Sequence, residues 1–281
     1  MCIRDRSSPA ASGRPLDILF ACHSSPAGAA RRAITRGTWG DPRALAPDTA
    51  SALLFFVGRS ADPAVEAELS AERRAHGDIV QGDFHDSYRN MTLKHVFTLR
   101  WVAEACPGAR WVVRVDDDVA VNSPALSAAL RAADAAPPDG GYWGPAARNG
   151  RVAKSGGSKH VLRSYADNTF PDFAHGYAVV IRSDVVQRLV AAMDTTPHLW
   201  IEDVWGSGIG RVKARVGLTD ISERCCMEGR RYSCARSDAC ASRRWFVHMG
   251  GAHYAAAMPR LWARLIAGGD GGGGADACPG A

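Results

Sequence analysis

Short apolar runs alternate with longer amphipathic stretches along the first half of the chain. Such runs, bounded by polar residues, are typical of strands buried on both faces, whereas the Ala-, Glu- and Arg-rich stretches between them favour helices. The pattern predicts strands over residues 16–22, 51–58, 78–81 and 111–115, with helices over 29–36, 63–76 and 92–105. This alternation indicates an α/β fold with a mostly parallel sheet flanked by helices, which binds ligands beyond the carboxyl ends of its strands.

The second half of the chain is less regular. Its pattern predicts helices over 123–135, 183–193 and 260–266, and a strand over 177–181. We expect one domain over residues 16–267. The polar residues 1–15 are expected to be a disordered linker or an artefact, and the Gly-rich residues 268–281 a disordered tail.

Composition narrows the function classes. A net charge of +5 spread over 281 residues suits an anionic substrate such as a nucleotide diphosphate and is too weak for nucleic-acid binding. No apolar run is long enough to span a membrane. Cys225, Cys226, Cys234 and Cys240 cluster near the C-terminus, where disulfides or a zinc site are both open, disulfides being favoured.

Three consecutive aspartates, Asp116, Asp117 and Asp118, directly follow the run WVVRV. In an extended segment Asp116 and Asp118 point to one face, where their repulsion is relieved by a hard cation such as Mn²⁺ or Mg²⁺. An acidic surface turn is the alternative. It is disfavoured here because apolar residues flank the triplet on both sides.

Two further positions carry candidate chemistry. Glu202 and Asp203 lie between apolar segments, a setting that raises carboxylate pKa values as a general base requires; a helix N-cap formed by Asp203 is the alternative. His248 lies in the apolar stretch WFVHM, either as a ligand or as a core residue. The chain contains no GxGxxG after its first strand, no GxxxxGK[ST] phosphate loop and no HExxH motif, so a dehydrogenase, a P-loop kinase and a zinc protease are disfavoured.

The order of these motifs resembles the β1,3-galactosyltransferase family, which includes β1,3-N-acetylglucosaminyltransferases and Fringe. The resemblance covers roughly residues 16–265. It is carried by RRAITRGTWG at 31–40, DFHDSYRNMTLK at 83–94, DDDVAVN at 116–122, FPDFAHGY at 170–177, EDV at 202–204, and VH at 247–248 with Trp262. Lys159-His160 departs from the family, where Lys-Trp is common, and the cysteine-rich stretch does not map onto it.

The resemblance implies a GT-A type, Rossmann-like fold and an inverting hexosyltransferase that moves galactose or N-acetylglucosamine from a UDP-sugar to a glycan or glycoprotein acceptor in β1,3 linkage. It implies Asp118 and His248 as ligands of Mn²⁺ or Mg²⁺, and Asp203 as the catalytic base. Asp116 and Asp117 would contact the ribose or support the metal site. The family also implies a type II membrane protein of the Golgi lumen, held by an N-terminal anchor missing from this chain.

Two other functions remain open at the level of sequence. A GT-A-like domain that binds glycans without catalysis is disfavoured, because Asp118, Asp203 and His248 are all present. A metal-dependent phosphohydrolase would need further carboxylate or His ligands at strand ends. The sequon Asn90-Met91-Thr92 is a weak indication of a secretory compartment.

Overall fold

The fold is described from a computed structural model over residues 15–135, 140–156, 160–163, 165–227 and 244–267. Residues 1–14 and 268–281, Lys159, Cys234 and Cys240 lie outside these ranges, so the predictions that fall on them stay predictions. Within the ranges, no helix combines the length and hydropathy needed to cross a bilayer.

A seven-stranded sheet forms the centre of the molecule. Its strands are β1 Ile18–His23, β2 Ser51–Arg59, β3 Ile79–His85, β4 Trp111–Asp116, β6 Tyr142–Gly144, β9 Ala178–Arg182 and β10 Leu218–Asp220. Their spatial order is β10-β6-β9-β4-β1-β2-β3. Strands β1 to β4 are parallel to their neighbours among themselves, and β9 is antiparallel to both β4 and β6. The predicted α/β architecture with a mostly parallel sheet is confirmed.

Seven α-helices surround the strands in the described ranges. They are α1 Ala29–Arg36, α2 Pro63–His76, α3 Met91–Ala105, α4 Ser123–Ala135, α5 Ser183–Asp194, α6 Arg211–Lys213 and α7 Gly251–Ala267, and a π-helix, Asp203–Gly210, runs directly into α6. Local sequence fixes α2 at both ends: the Asp62 carboxylate accepts a hydrogen bond from the Ala64 N–H at 2.8 Å, and Gly77 ends the helix at φ +70°.

Both faces of the central sheet are buried, which explains why its strands are continuously apolar. Ile18 and Phe20 of β1 belong to one core, together with residues of α4 and α7. Leu19, between them in the chain, belongs to the opposite core with residues of α3 and α5. The alternation of side chains along β1 therefore supplies both cores.

Two small sheets lie beside the central one. Their strands are β5 Val119–Val121, β7 Ala146–Ala147, β8 Phe173–Ala174, β11 Cys225–Met227 and β12 Phe246–His248. Strand β12 pairs antiparallel with β5 and parallel with β11, which sets His248 opposite Val119. Cys226 is disulfide-bonded, in line with the disulfide interpretation, whereas Cys225 is a buried free thiol.

Two predicted elements are longer in the structure. Strand β3 continues past the predicted end at residue 81, through Gly82 and Asp83, because an edge strand of the sheet needs no continuous apolar run. Helix α7 begins at Gly251, well before the predicted residue 260, and contains Pro259 in its interior. The buried side chains of Tyr254 and Met258 anchor its first half.

Candidate active site

The aspartate triplet lies at the carboxyl end of the parallel strands. Asp116 is the last residue of β4 and is in register with His23, the last residue of β1. Asp117 and Asp118 form the turn that leads into β5. The triplet therefore lies where parallel α/β sheets place their ligands.

Asp117 is tied to the first strand and the first helix. Its carboxylate accepts hydrogen bonds from Ser24 Oγ at 2.6 Å and from Arg31 Nε at 2.9 Å. Its backbone N–H donates to the His23 carbonyl at 3.0 Å. Because both oxygens are engaged and the residue is 7% exposed, Asp117 holds the turn in place.

Asp118 faces His248 across the small sheet. Their Oδ1 and Nε2 atoms lie 3.4 Å apart, and both side chains keep part of their surface in solvent, 21% for Asp118 and 27% for His248. A hydrogen bond to Asp118 raises the pKa of His248 above its ordinary value, although burial opposes the rise. The turn is closed by the Met249 N–H, which donates to the Asp118 carbonyl at 3.0 Å. The structure thus brings the two predicted metal ligands together.

Asp116 is the member of the triplet that lies beside a buried cation, Arg114. Its Oδ1 is 3.5 Å from an Arg114 nitrogen, and this buried oxygen has no hydrogen-bond partner among the described residues. Burial raises the pKa of Asp116 to about 6; Asp118 and Glu202 add to the rise and Arg114 opposes it.

Glu202 and Asp203 form a carboxylate pair at the start of the π-helix. Glu202 already has helical backbone angles and no side-chain cap is present, so the alternative of Asp203 as an N-cap is wrong. Burial raises the pKa of Asp203 well above its ordinary value; the charge of Glu202 and a hydrogen bond to it add to this rise. The pair lies against Gly176, where an added Cβ would be 2.5 Å from Glu202 Oε2 and within van der Waals overlap of Asp203 Oδ1.

Arg114 connects the triplet to this carboxylate pair. It is 1% exposed, and its guanidinium donates to Glu202 Oε2 at 3.2 Å and to His23 Nδ1 at 2.9 Å. On the other side of the pair, His95 Nδ1 lies 2.7 Å from Glu202 Oε1. Burial alone would raise the pKa of Glu202, but Arg114 and His95 outweigh it and lower that pKa to about 2. Glu202 is therefore a buried, ionised carboxylate.

Arg114, His95 and His23 were not predicted from the sequence as site residues. Burial lowers the pKa of His23 well below its ordinary value, and Arg114 and Lys94 add to the effect. The neutral ring then accepts from Arg114 and donates through Nε2 to Thr98 Oγ1 at 2.9 Å. The single signal available in the sequence was an arginine inside an otherwise apolar strand, which indicates a buried partner of opposite charge.

The residues present fit a hard divalent cation. Among the described residues, no group of three or more His, Cys, Asp and Glu side chains is arranged to hold a metal ion. Mg²⁺-type ions are, however, commonly held by one or two protein ligands while water and substrate phosphates complete the shell. Asp118 with His248, beside the unpartnered Asp116 oxygen, supplies such a partial set.

Comparison with known proteins assigns the class. The family model for galactosyltransferase matches residues 30–223. The chain is 32% identical to the mouse protein named beta-1,3-galactosyltransferase 1, over 67% of this chain and 57% of that protein. It is 30% identical to a mouse acetylgalactosaminyl-O-glycosyl-glycoprotein beta-1,3-N-acetylglucosaminyltransferase, over 78% and 56%. A lactosylceramide 1,3-N-acetyl-beta-D-glucosaminyltransferase of Xenopus tropicalis is also 30% identical, over 67% and 52%.

Among solved structures, an active-site mutant of LgtC superposes with a TM-score of 0.46 at 14% identity, over 83% of this chain and 87% of that one. The apo WbbM bifunctional glycosyltransferase superposes with a TM-score of 0.45 at 8% identity, over 84% and 46%.

The family match assigns the chain to the glycosyltransferases, and the mostly parallel sheet agrees with the GT-A type fold that the resemblance implies. Within this class, the chain belongs to the galactosyltransferase family. The predicted family resemblance is confirmed. The chain spans about half of the length of the curated relatives it matches.

Proposed function

We propose that this chain is the catalytic domain of an inverting hexosyltransferase that moves galactose or N-acetylglucosamine from a UDP-sugar to a glycan acceptor in β1,3 linkage. One observation carries the proposal. Arg114 joins the Asp116 end of the triplet, where we propose the diphosphate binds, to the Glu202–Asp203 pair, which we propose contains the proton acceptor.

Asp118 and His248 would hold a divalent cation, Mn²⁺ or Mg²⁺. Bound there, the cation would supply positive charge that stabilises the nucleotide diphosphate as it leaves. Asp117 supports this end of the site, because Ser24 and Arg31 fix the turn that carries Asp118. Asp116, whose buried Oδ1 accepts no hydrogen bond from the described residues, would contact the ribose.

Asp203 would accept the proton of the acceptor hydroxyl. As that proton moves to Asp203, the hydroxyl oxygen forms a bond to the anomeric carbon from the face opposite the diphosphate. The bond to the diphosphate breaks with its electron pair. One displacement inverts the anomeric centre, so an α-linked donor gives a β-linked product. Burial and Glu202 raise the proton affinity of Asp203, as a general base needs.

Transfer assays test the proposal. UDP-galactose and UDP-N-acetylglucosamine are each incubated with Mn²⁺ and a panel of glycan acceptors, with and without EDTA. We expect transfer of one sugar, with an inverted product, and loss of activity on chelation. Full activity after exhaustive chelation would contradict the metal dependence. Glycan binding without transfer would instead favour a non-catalytic domain, and release of sugar that does not depend on an acceptor would favour a hydrolase.

We further propose that the protein works in the Golgi lumen, attached through an N-terminal segment outside this chain. The disulfide at Cys226 supports an oxidising compartment. The sequon supports it weakly, because the Thr92 side chain is buried and bonded to the Leu199 carbonyl at 2.8 Å. Fluorescence microscopy of the tagged full-length protein tests the compartment, and a cytosolic distribution would contradict it.

A further inference from the structure

Three aromatic side chains from distant parts of the sequence meet at the surface, and we call them the aromatic platform: Tyr88, His160 and Trp200. The rings of Tyr88 and His160 stack with an interplanar angle of 17° and a centroid distance of 6.2 Å. Trp200 lies 5.5 Å from His160 and 6.2 Å from Tyr88, measured between centroids. Tyr88 is 56% exposed, which is unusual for so large a ring in contact with two others.

The platform is held rigidly. Tyr88 OH and His160 Nε2 are hydrogen-bonded at 2.8 Å, which fixes the two rings relative to each other. The Arg89 guanidinium lies 3.9 Å from the centroid of the Trp200 ring, a cation–π contact that orients the indole. Rigid aromatic rings with polar edges bind ligands with little loss of side-chain entropy.

The platform is linked to the proposed base through the backbone. Trp200 precedes Asp203 by three residues, so their Cα atoms lie within about 10 Å of each other. Helix α3 holds this segment at both ends: Thr92 donates to the Leu199 carbonyl at 2.8 Å, and His95 contacts Glu202 at 2.7 Å. The distance between Trp200 and Asp203 is therefore fixed by the fold.

Sugar rings match this chemistry. A hexose presents C–H groups on one face and hydroxyls around its edge, so it stacks on an aromatic ring while its edge bonds to polar groups. Because the Cα atoms of Trp200 and Asp203 lie within about 10 Å of each other, a glycan whose hydroxyl faces Asp203 can reach the platform with a neighbouring sugar. The polar atoms of Tyr88 and His160, and of the adjoining Arg89, can form hydrogen bonds with the hydroxyls of an uncharged sugar.

We propose that the aromatic platform binds the second sugar of the acceptor glycan, the one adjoining the sugar whose hydroxyl faces Asp203. This inference rests on the proposed function. It makes Trp200, Tyr88 and His160 determinants of acceptor specificity: they favour acceptors at least two sugars long.

A second aromatic surface provides a matched control. An open groove of about 640 Å³ is lined by Tyr165, Phe170 and Ile209, among others, with Ile209 near the far end of the π-helix. Tyr165 resembles Tyr88 in chemistry, but its aromatic contact is with Phe170 and not with a ring of the platform. Replacing it should leave acceptor recognition unchanged.

The experiment measures KM for methyl β-glycosides of galactose and of N-acetylglucosamine, each as the monosaccharide and as a disaccharide with one more hexose at the reducing end. The wild-type protein should have the lower KM for the disaccharide. Trp200→Ala should raise the disaccharide KM roughly 3- to 10-fold, the range expected for one lost aromatic contact. The monosaccharide KM, the UDP-sugar KM and kcat should stay within twofold. Trp200→Phe should recover most of the loss, and Tyr165→Ala should match the wild type.

Equal changes for the monosaccharide and the disaccharide would overturn the proposal, and so would a rise confined to the UDP-sugar KM, which would mean that the platform stacks on the nucleotide base. Tyr88→Ala provides a second variant if Trp200→Ala fails to fold. Saturation-transfer NMR with the same disaccharides tests acceptor binding independently of the proposed transfer reaction. If no acceptor is glycosylated but binding still depends on Trp200, the proposed reaction fails and the platform stands.

Discussion

At the residue scale, the behaviour of Asp203 follows from its position beside an ionised partner. Glu202 keeps its charge because Arg114 and His95 lie against it. Burial and, after it, the charge of Glu202 raise the pKa of Asp203, which therefore retains a proton to higher pH than an ordinary aspartate. A protonated Asp203 donates to Glu202, a role that an amide group can take over. An asparagine at position 203 can therefore keep the hydrogen bond that supports folding while removing the group proposed to accept the proton.

Asp203→Asn should therefore fold normally and lose turnover. We expect kcat to fall about 10²- to 10⁴-fold, the usual contribution of a general base, with UDP-sugar affinity unchanged. Asp118→Ala should instead weaken Mn²⁺-dependent binding of the UDP-sugar. Initial rates and isothermal titration of the donor measure the two effects. Near-normal turnover in Asp203→Asn would show that the base lies elsewhere, with Glu202 the first position to examine.

The pH dependence of kcat should depend on Glu202. Asp203 acts as a base only when it has lost its proton, so activity should fall as the pH drops through its raised pKa. Glu202→Gln removes the neighbouring negative charge, lowers the pKa of Asp203 and should move the acidic limb of the profile to lower pH. Profiles of kcat between pH 4 and 9 measure this shift, roughly one unit or more for a lost neighbouring charge. If the acidic limb of the profile stays at the same pH, the charge of Glu202 does not influence the proton acceptor.

Gly176 should tolerate no side chain. A Cβ there would overlap Asp203 Oδ1 and lie 2.5 Å from Glu202 Oε2, so Gly176→Ala must displace the carboxylate pair. A displacement of about 1 Å at a reacting group can cost around 10²-fold in rate, and we expect a loss of that size in kcat. Gly108→Ala is the matched control, because an added Cβ there meets nothing within 4 Å. Wild-type kcat in Gly176→Ala would mean that the pair is not the proton acceptor.

At the element scale, the strands and helices that local sequence determines were predicted closely. Helix α2 has the predicted bounds because Asp62, Pro63 and Gly77 supply its cap, first turn and end. Strand β1 is apolar because both its faces are buried. In both elements the signal that predicts the structure lies within the element or at its ends.

The π-helix could not be predicted in this way. Gly206, Gly208 and Gly210 have low helix propensity, so the sequence gives no local reason for a helix. Distant contacts hold it: Ser207 Oγ donates to the Ala174 carbonyl at 2.9 Å, and an added Cβ on Gly206 would lie 2.9 Å from His95 Nε2. For the same reason Arg114 and His95 were missed, since their partners come from other parts of the chain.

The contact between α1 and α7 should contribute measurably to stability. Tyr254 of α7 is fully buried, and its hydroxyl bonds to Thr35 Oγ1 and to Trp39 Nε1, each at 3.0 Å. Tyr254→Phe leaves both buried partners unpaired and should cost about 1–3 kcal/mol. Thermal unfolding should show Tm lowered by several degrees, while Tyr165→Phe at the surface should leave Tm unchanged. An unchanged Tm in Tyr254→Phe would mean that water replaces the lost bonds.

At the scale of the whole molecule, the family match ends at residue 223, yet the fold and the proposed site continue beyond it. Strand β12 and helix α7 complete the core and provide His248. The site therefore depends on His23 and Ser24, which precede the matched region, and on His248, which follows it. We expect ligand binding to change the melting temperature of the entire domain.

Donor binding should raise the melting temperature. A ligand that binds only the folded state stabilises it by about 2.7 kcal/mol at a concentration 100 times its Kd. We expect UDP with Mn²⁺ to raise Tm by several degrees, and EDTA to abolish the increase. Asp118→Ala should show no increase, whereas Tyr165→Ala should respond like the wild type. A shift by UDP that survives chelation would contradict a role for the cation in holding the diphosphate.

The pairing of β5 with β12 also has a consequence for biosynthesis. Asp118 lies in the turn before β5 and His248 in β12, and the two meet only when β12 docks on β5. The parallel strands β1 to β4 all precede Asp118, so they can assemble while the ribosome is still translating. The proposed cation site cannot form until residue 248 has been translated and has left the exit tunnel. A nascent chain would therefore consume no nucleotide sugar before residue 248 has left the exit tunnel.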